Sequence, residues 1–189
     1  MKVSIVCGDI TGFQGDVVVN AANPPMLGGG GVDGAIHRAA GPLLKQLCER
    51  VPTEGGVRCP VGSVRPTPAA DLTARWVFHT AAPIKSLKRS GELRPGETDG
   101  GDEDTLHQQM RDIFKKVALL ALGMDLKTIA IPALGCGIYG WSHEEVADIA
   151  MGWAKSYGQW PLEVTIYLFP ADAYPTWVAA ARKFEIEGF

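Results

Sequence analysis

Apolar, β-branched runs recur along the chain as VSIVC (3–7), DVVVNAA (16–22), RWVFHTAA (75–82), KTIAIPAL (127–134) and EVTIYLF (163–169). Each is short and almost unbroken by polar positions, the pattern of strands covered on both faces. Between them the apolar spacing changes to a helical period. Leu106, Met110, Ile113, Phe114 and Val117 form one stripe, opened by Thr105 with Gln108 three residues on and stopped at Gly123. Val146, Ile149, Ala150 and Trp153 form a second, opened by the Ser142/Glu145 capping box with Trp141 and Val146 as its staple. Residues 33–40 and 42–50 read as two helical pieces broken at Gly41-Pro42, and residues 172–184 as a further helix. Strands alternating with helices predict a largely parallel sheet between helical layers.

Composition narrows this to an ordinary globular chain. Its 189 residues match about one domain of 100–200 residues, and 46% hydrophobic with 21% charged residues is far too apolar for global disorder. A formal net charge of −3 gives no diffuse attraction to polyphosphate. The longest apolar run outside the strands, residues 117–124, falls well short of the ~20 residues of a membrane span. Cys7, Cys48, Cys59 and Cys136 contain no C-x-x-C pair and read as free thiols in a reducing compartment, so the protein is expected to be cytoplasmic and away from membranes. His79 and His107 have no companions at metal-ligand spacing, which leaves no metal site expected. Residues 85–104 combine KSLKRS with six acids among their last thirteen positions. Such a segment buries little and is expected to be a mobile, solvated loop within the one domain.

The candidate chemistry lies in two glycine-rich loops. Asn20-Ala-Ala-Asn23 ends a strand and leads to Gly28–Gly31, with Asp33 in the first turn of the following helix. Bare glycine amides before a helix N-terminus suit a phosphate, although the loop lacks a P-loop Lys and the G-x-G-x-x-G spacing. Gly135-Cys136-Gly137-Ile138-Tyr139-Gly140 likewise joins a strand to a helix. In a parallel sheet both loops meet at the carboxyl ends of the strands, and together they suggest a diphosphate. Gly137 is expected to need a bare Cα, for ligand approach or for positive φ.

GDIT at 8–11, NAAN at 20–23, GGGGVDGAIHRAAG at 28–41, CPVG at 59–62, His79-Thr80 with Pro83, and GCGIYG at 135–140 together resemble the macrodomain family, closest to its MacroD-type hydrolase branch. The resemblance spans nearly the whole chain, residues 1–189, as a single macrodomain. It departs locally: the family's usual Ser-Thr-Gly loop reads Gly135-Cys136-Gly137 here, and the 85–104 connection is longer than usual. It implies a three-layer α/β/α sandwich with a mixed, mostly parallel central sheet, and binding of ADP-ribose by a monomer that needs no cofactor. Asp9 and Ile10 would receive the adenine, with Phe169 stacking nearby. Asn23 would hydrogen-bond the distal ribose, and Asn20 would belong to the ligand-binding set. Gly30, Gly31 and Val32 would offer amides to the ribose and phosphates, and Gly135, Cys136, Gly137, Ile138 and Tyr139 would embrace the diphosphate.

Asp33, ten residues after Asn23, matches the family acid associated with turnover, so Asp33 and Asn23 are the implied catalytic residues. A helix first turn favours the anion, which makes Asp33 a weak base that orients a water. His37, one turn on, shares its face and reads as structural. The implied substrates are ADP-ribosylated Asp or Glu of proteins and O-acetyl-ADP-ribose. The alternatives are a reader without turnover, a phosphatase of ADP-ribose 1''-phosphate, and a hydrolase of ADP-ribosylated nucleic-acid ends.

Overall fold

Val17, Val18 and Val19 are each completely buried, which requires a strand with protein on both of its faces. The structure, a computed structural model, describes residues 1–86 and 93–189. It contains a six-stranded sheet of β1 (Lys2–Cys7), β2 (Val17–Ala22), β3 (Val64–Pro68), β4 (Trp76–Ala81), β5 (Thr128–Pro132) and β6 (Glu163–Leu168), in the order β1-β6-β5-β2-β4-β3. All neighbours are parallel except β3, which pairs antiparallel with β4. The helices are α1 (Gly31–Ala40), α2 (Pro42–Glu49), α3 (Glu103–Gly123), α4 (His143–Ser156) and α5 (Tyr174–Lys183).

The period-2 alternation of each strand splits the core into two. Val17, Val19 and Phe78 pack with Phe114, Trp141, Ile149 and Trp177 beneath α3, α4 and α5. Val18, Ala22, Val77 and Ala81 pack with Ile36 and Leu44 of α1 and α2 on the other face. These two cores around one sheet make the expected three-layer sandwich. No helix among the described residues is long and apolar enough to cross a membrane.

The architecture departs from the sequence reading at three points. The strand β3 was not expected, because its VRPTP carries two prolines. It is tolerated since it forms the sheet edge and pairs on one side only. The helix α3 starts three residues earlier than its apolar stripe: Asp102, not Thr105, is the N-cap and accepts from Thr105 N at 2.9 Å and Thr105 Oγ1 at 2.8 Å. Its end lies at Gly123 as read, but the left-handed residue beyond it is Asp125, at φ +54°. The last helix begins at Tyr174, after a 3-10 turn at Ala171–Ala173. The Ser142/Glu145 box on α4 forms in full.

Of the segment expected to be mobile, residues 87–92 lie outside the described residues. Residues 93–104 are not all solvated. Glu97 is only 7% exposed, and Asp99 bridges to Ile84.

Candidate functional site

A cleft of about 640 Å³ opens at the carboxyl ends of β1, β2, β5 and β6, where strand-to-helix loops converge. Gly8, Asp9 and Ile10 enter it from the end of β1, Asn23 from β2, Ala133 from β5 and Phe169 from β6. The glycine-rich loops form its walls, with Gly29–Asp33 on one side and Gly135–Tyr139 on the other. Every residue named as catalytic or ligand-binding from the sequence lines this cleft, except one. Asn20 is fully buried behind Asp33 and does not reach the lining.

The first wall is held from beneath. Asn20 sits opposite His79 in the parallel β2–β4 register, and Thr67 comes from neighbouring β3, so three polar side chains lie in a row beneath α1 and α2. Asn20 Nδ2 donates to Asp33 Oδ1 at 2.7 Å and lies 3.1 Å from His79 Nδ1. An amide nitrogen only donates, so His79 Nδ1 is the acceptor and the ring proton sits on Nε2, which meets Thr67 Oγ1 at 2.9 Å. Burial drives the His79 pKa down to about 3, and nearby His37 pushes it the same way. The imidazole is therefore neutral and its tautomer fixed.

Asp33 is 5% exposed. Its Oδ1 is pinned by Asn20 and lies 3.4 Å from His37 Nε2, while its buried Oδ2 has no hydrogen-bond partner among the described residues. Here the expectation of an easily ionised acid is corrected. Burial raises the Asp33 pKa, and the Asn20 hydrogen bond with the charges of His37 and Arg94 opposes this without cancelling it. Desolvation outweighs the helix first turn and makes Asp33 a stronger base than an exposed carboxylate.

Gly30 caps α1 with no side-chain hydrogen bond, so the first-turn amides beside it have no side-chain capping partner among the described residues. Asn23 joins its own loop as well as the cleft. Its Oδ1 accepts from Met26 N and its Nδ2 donates to Gly28 O, both at 3.2 Å. Asp9 both caps and faces the cleft, since Oδ1 takes Thr11 N at 2.9 Å and Thr11 Oγ1 at 2.8 Å. Phe169 is 84% exposed at the rim and is not a core aromatic.

In the second wall the glycines that the backbone requires are Gly135 and Gly140, at φ +74° and +82°. A Cβ on Gly135 would stand 2.5 Å from Trp141 Cδ1, and one on Gly140 would run into Ser86 O. Gly137 has neither constraint, so of the two reasons expected for its bare Cα, positive φ is excluded.

Arg94 and Glu97 were not anticipated. Arg94 lines the cleft, and Tyr139 Oη donates to Glu97 Oε1 at 2.6 Å. The signal was Arg94-Pro95-Gly96-Glu97, where Pro-Gly at the centre marks a tight turn that the surrounding acids obscured.

One cluster of metal-type ligands occurs among the described residues, at Glu103, His107 and Glu145. The Lys85 ammonium already bonds both carboxylates, to Glu103 Oε1 at 2.9 Å and to Glu145 Oε1. Burial alone would raise Glu145, but hydrogen bonds from Lys85 and Ser142 hold it at about 2.

Beside the cleft, a shallower groove shares Gly29 and Arg38 with it and is lined further by His37 and Lys45.

Comparison with known proteins places these features. A macro domain-containing protein of Vibrio parahaemolyticus is 39% identical over 181 residues, covering 96% of this chain and 98% of the relative. An O-acetyl-ADP-ribose deacetylase of Klebsiella pneumoniae is 44% identical over 151 residues, covering 80% of this chain and 78% of its own. The solved structure of an Oceanobacillus iheyensis macrodomain variant with ADPR superposes with a TM-score of 0.83 at 32% identity, covering 97% of this chain and 92% of that one. The family model for the macro domain matches residues 19–150, from the buried Asn20 through both glycine-rich walls, and the chain belongs to the macro domain family.

Proposed function

We propose that this protein binds ADP-ribose in the cleft and hydrolyses ADP-ribosyl esters, O-acetyl-ADP-ribose and mono-ADP-ribosylated Asp or Glu side chains among them. The observation that carries this reading is the Asp33 carboxylate, with Oδ1 pinned at 2.7 Å by Asn20 and Oδ2 buried at the cleft without a partner among the described residues. Similarity to O-acetyl-ADP-ribose deacetylases supports the ester.

In this reading adenine lies at Asp9, which accepts from its amino group, with Phe169 as a stacking platform. The diphosphate lies between the α1 first-turn amides and the Gly135–Tyr139 wall, where bare amides and the helix dipole favour an anion. The distal ribose then reaches Asn23 and Asp33. In the ester of an Asp or Glu side chain on C1, a water held by Asp33 Oδ2 attacks C1 of that ribose. Its oxygen bonds the carbon, its proton passes to Asp33, and the ester carboxylate leaves with the electron pair of the broken bond. The raised Asp33 pKa supports proton acceptance, because a base gains strength as its pKa rises toward the working pH. The groove that continues from Gly29 past Arg38 and Lys45 gives room for a polypeptide bearing the ester.

The test is incubation of the pure protein with O-acetyl-ADP-ribose, with a protein ADP-ribosylated on glutamate and with ADP-ribosylated DNA, following ADP-ribose release. Release from the esters supports the proposal. Tight ADP-ribose binding with no release from any ester refutes the hydrolase and leaves a reader; faster release from DNA refutes the ester preference.

A further inference from the structure

We infer that Arg94, together with Asn23 and the bare Cα of Gly29, forms a subsite for the carboxyl group esterified to the distal ribose. This rests on the proposed binding of ADP-ribose in the cleft and adds a residue from outside the motifs that mark the family, in the 85–104 connection.

Arg94 is held in place by a built turn. Glu97 N donates to Arg94 O at 2.9 Å, and Gly96 between them takes φ +82°, as a Pro-Gly turn demands. A methyl on Gly96 would stand 2.8 Å from Val57 Cγ1 and 2.9 Å from Pro24 Cβ, so the turn is pressed against the residue that follows Asn23. The buried Glu97 carboxylate ties the turn to the opposite wall, accepting Arg94 N at 2.8 Å on Oε2 and Tyr139 Oη at 2.6 Å on Oε1. Its charge also stands 3.6 Å from Arg94 Nη1, which steadies one edge of the guanidinium.

The other edge faces the reaction. A methyl placed on Gly29 would lie 3.0 Å from Asp33 Oδ2, 3.2 Å from Asn23 Nδ2 and 3.6 Å from Arg94 Nη2. A base oxygen, a neutral donor and a cationic donor therefore gather around the bare Cα of Gly29, where any side chain would crowd them. An ester carboxyl fits this set: its oxygens accept from Asn23 and Arg94, and its bond to the ribose lies beside the water on Asp33. As that bond breaks, the electron pair moves onto the departing carboxylate, and a guanidinium at that position neutralises the growing charge. ADP-ribose itself, the product, has lost this carboxyl.

The test compares intact ester with product in an Asp33→Asn background, where the ester survives long enough for calorimetry. Adding Arg94→Gln should weaken O-acetyl-ADP-ribose by about tenfold or more, the scale of one charge-assisted hydrogen bond, while ADP-ribose affinity changes less than twofold. Arg94→Lys, which keeps charge without the planar fork, should fall between them. Equal losses for both ligands would move Arg94 to the phosphates and overturn the subsite, and so would no loss for either. Since this readout is binding, an ester-selective effect stands even if the parent proves unable to turn the ester over; absence of ADP-ribose binding would instead sink the reading of the cleft.

Discussion

Asp33→Asn separates the chemistry of the carboxylate from its packing. The amide is isosteric, and its oxygen still accepts the 2.7 Å hydrogen bond from Asn20, so the wall keeps its shape. The group at the Oδ2 position becomes an NH2 donor and no longer accepts a proton. Loss of a positioned base lowers rates by about 10²–10⁴-fold, so single-turnover ADP-ribose release should fall by at least a hundredfold while ADP-ribose affinity stays nearly unchanged. Stability should move the other way. The folded-state pKa of Asp33 is raised above its unfolded value, so the folded protein loses stability as pH rises above the unfolded carboxyl pKa and the buried group must ionise. Removing the charge returns that stability at pH 7–8, and the difference closes as pH falls through the ordinary carboxylate range. For a chain of this size each kcal/mol recovered raises Tm by about 2–4 °C. The assay pairs ester release with calorimetric melting of parent and variant at pH 7.5 and pH 4. A variant that releases ADP-ribose at the parent rate refutes Asp33 as the base; one that melts lower than the parent at pH 7.5 refutes the dominance of desolvation.

Asp9→Ala should weaken ADP-ribose by about 1–3 kcal/mol, the range of a hydrogen bond to a charged acceptor, and unchanged affinity in a folded variant would remove the adenine from Asp9. The two kinds of glycine in the second wall should separate: Gly135→Ala should cost about 1–3 kcal/mol of stability through its clash with Trp141 and its positive φ, whereas Gly137→Val should leave Tm unchanged and block ADP-ribose. Equal melting of both variants would contradict this division. His79 is neutral in the folded chain down to about pH 3 but protonates below pH 6.5 when unfolded, so it costs about 1.4 kcal/mol of stability per pH unit between those values. Denaturant melts from pH 6 to 4 should therefore give a shallower pH slope for His79→Gln than for the parent, and equal slopes would show that His79 is charged in the fold.

Five of the six strands, all five helices and both glycine-rich walls were legible in the sequence because each is fixed locally. Period-2 and period-3.6 burial, a Ser142/Glu145 box and glycines ahead of a helix depend on residues a few positions apart. The edge strand β3 was hidden because its prolines break the local rule, and only its place beside β4 makes them harmless. Strand order alone decided the support of Asp33. Asn20, His79 and Thr67 lie far apart in sequence and meet because β2, β4 and β3 are neighbours, which turned Asn20 from an expected ligand contact into the group that pins the carboxylate. The sign of the Asp33 pKa shift followed the same division: its first-turn position favours the anion, and the burial that overrides it exists only once α1 is packed on the sheet. Arg94 and Glu97 belong to an acidic, glycine-rich stretch whose composition reads as solvated. The contact of Tyr139 with Glu97, 42 positions apart, is what draws that stretch onto the cleft. Local patterning thus determined which elements form and where bare glycine amides gather, whereas long-range contacts decided which side chains stand around the cleft and in what charge state.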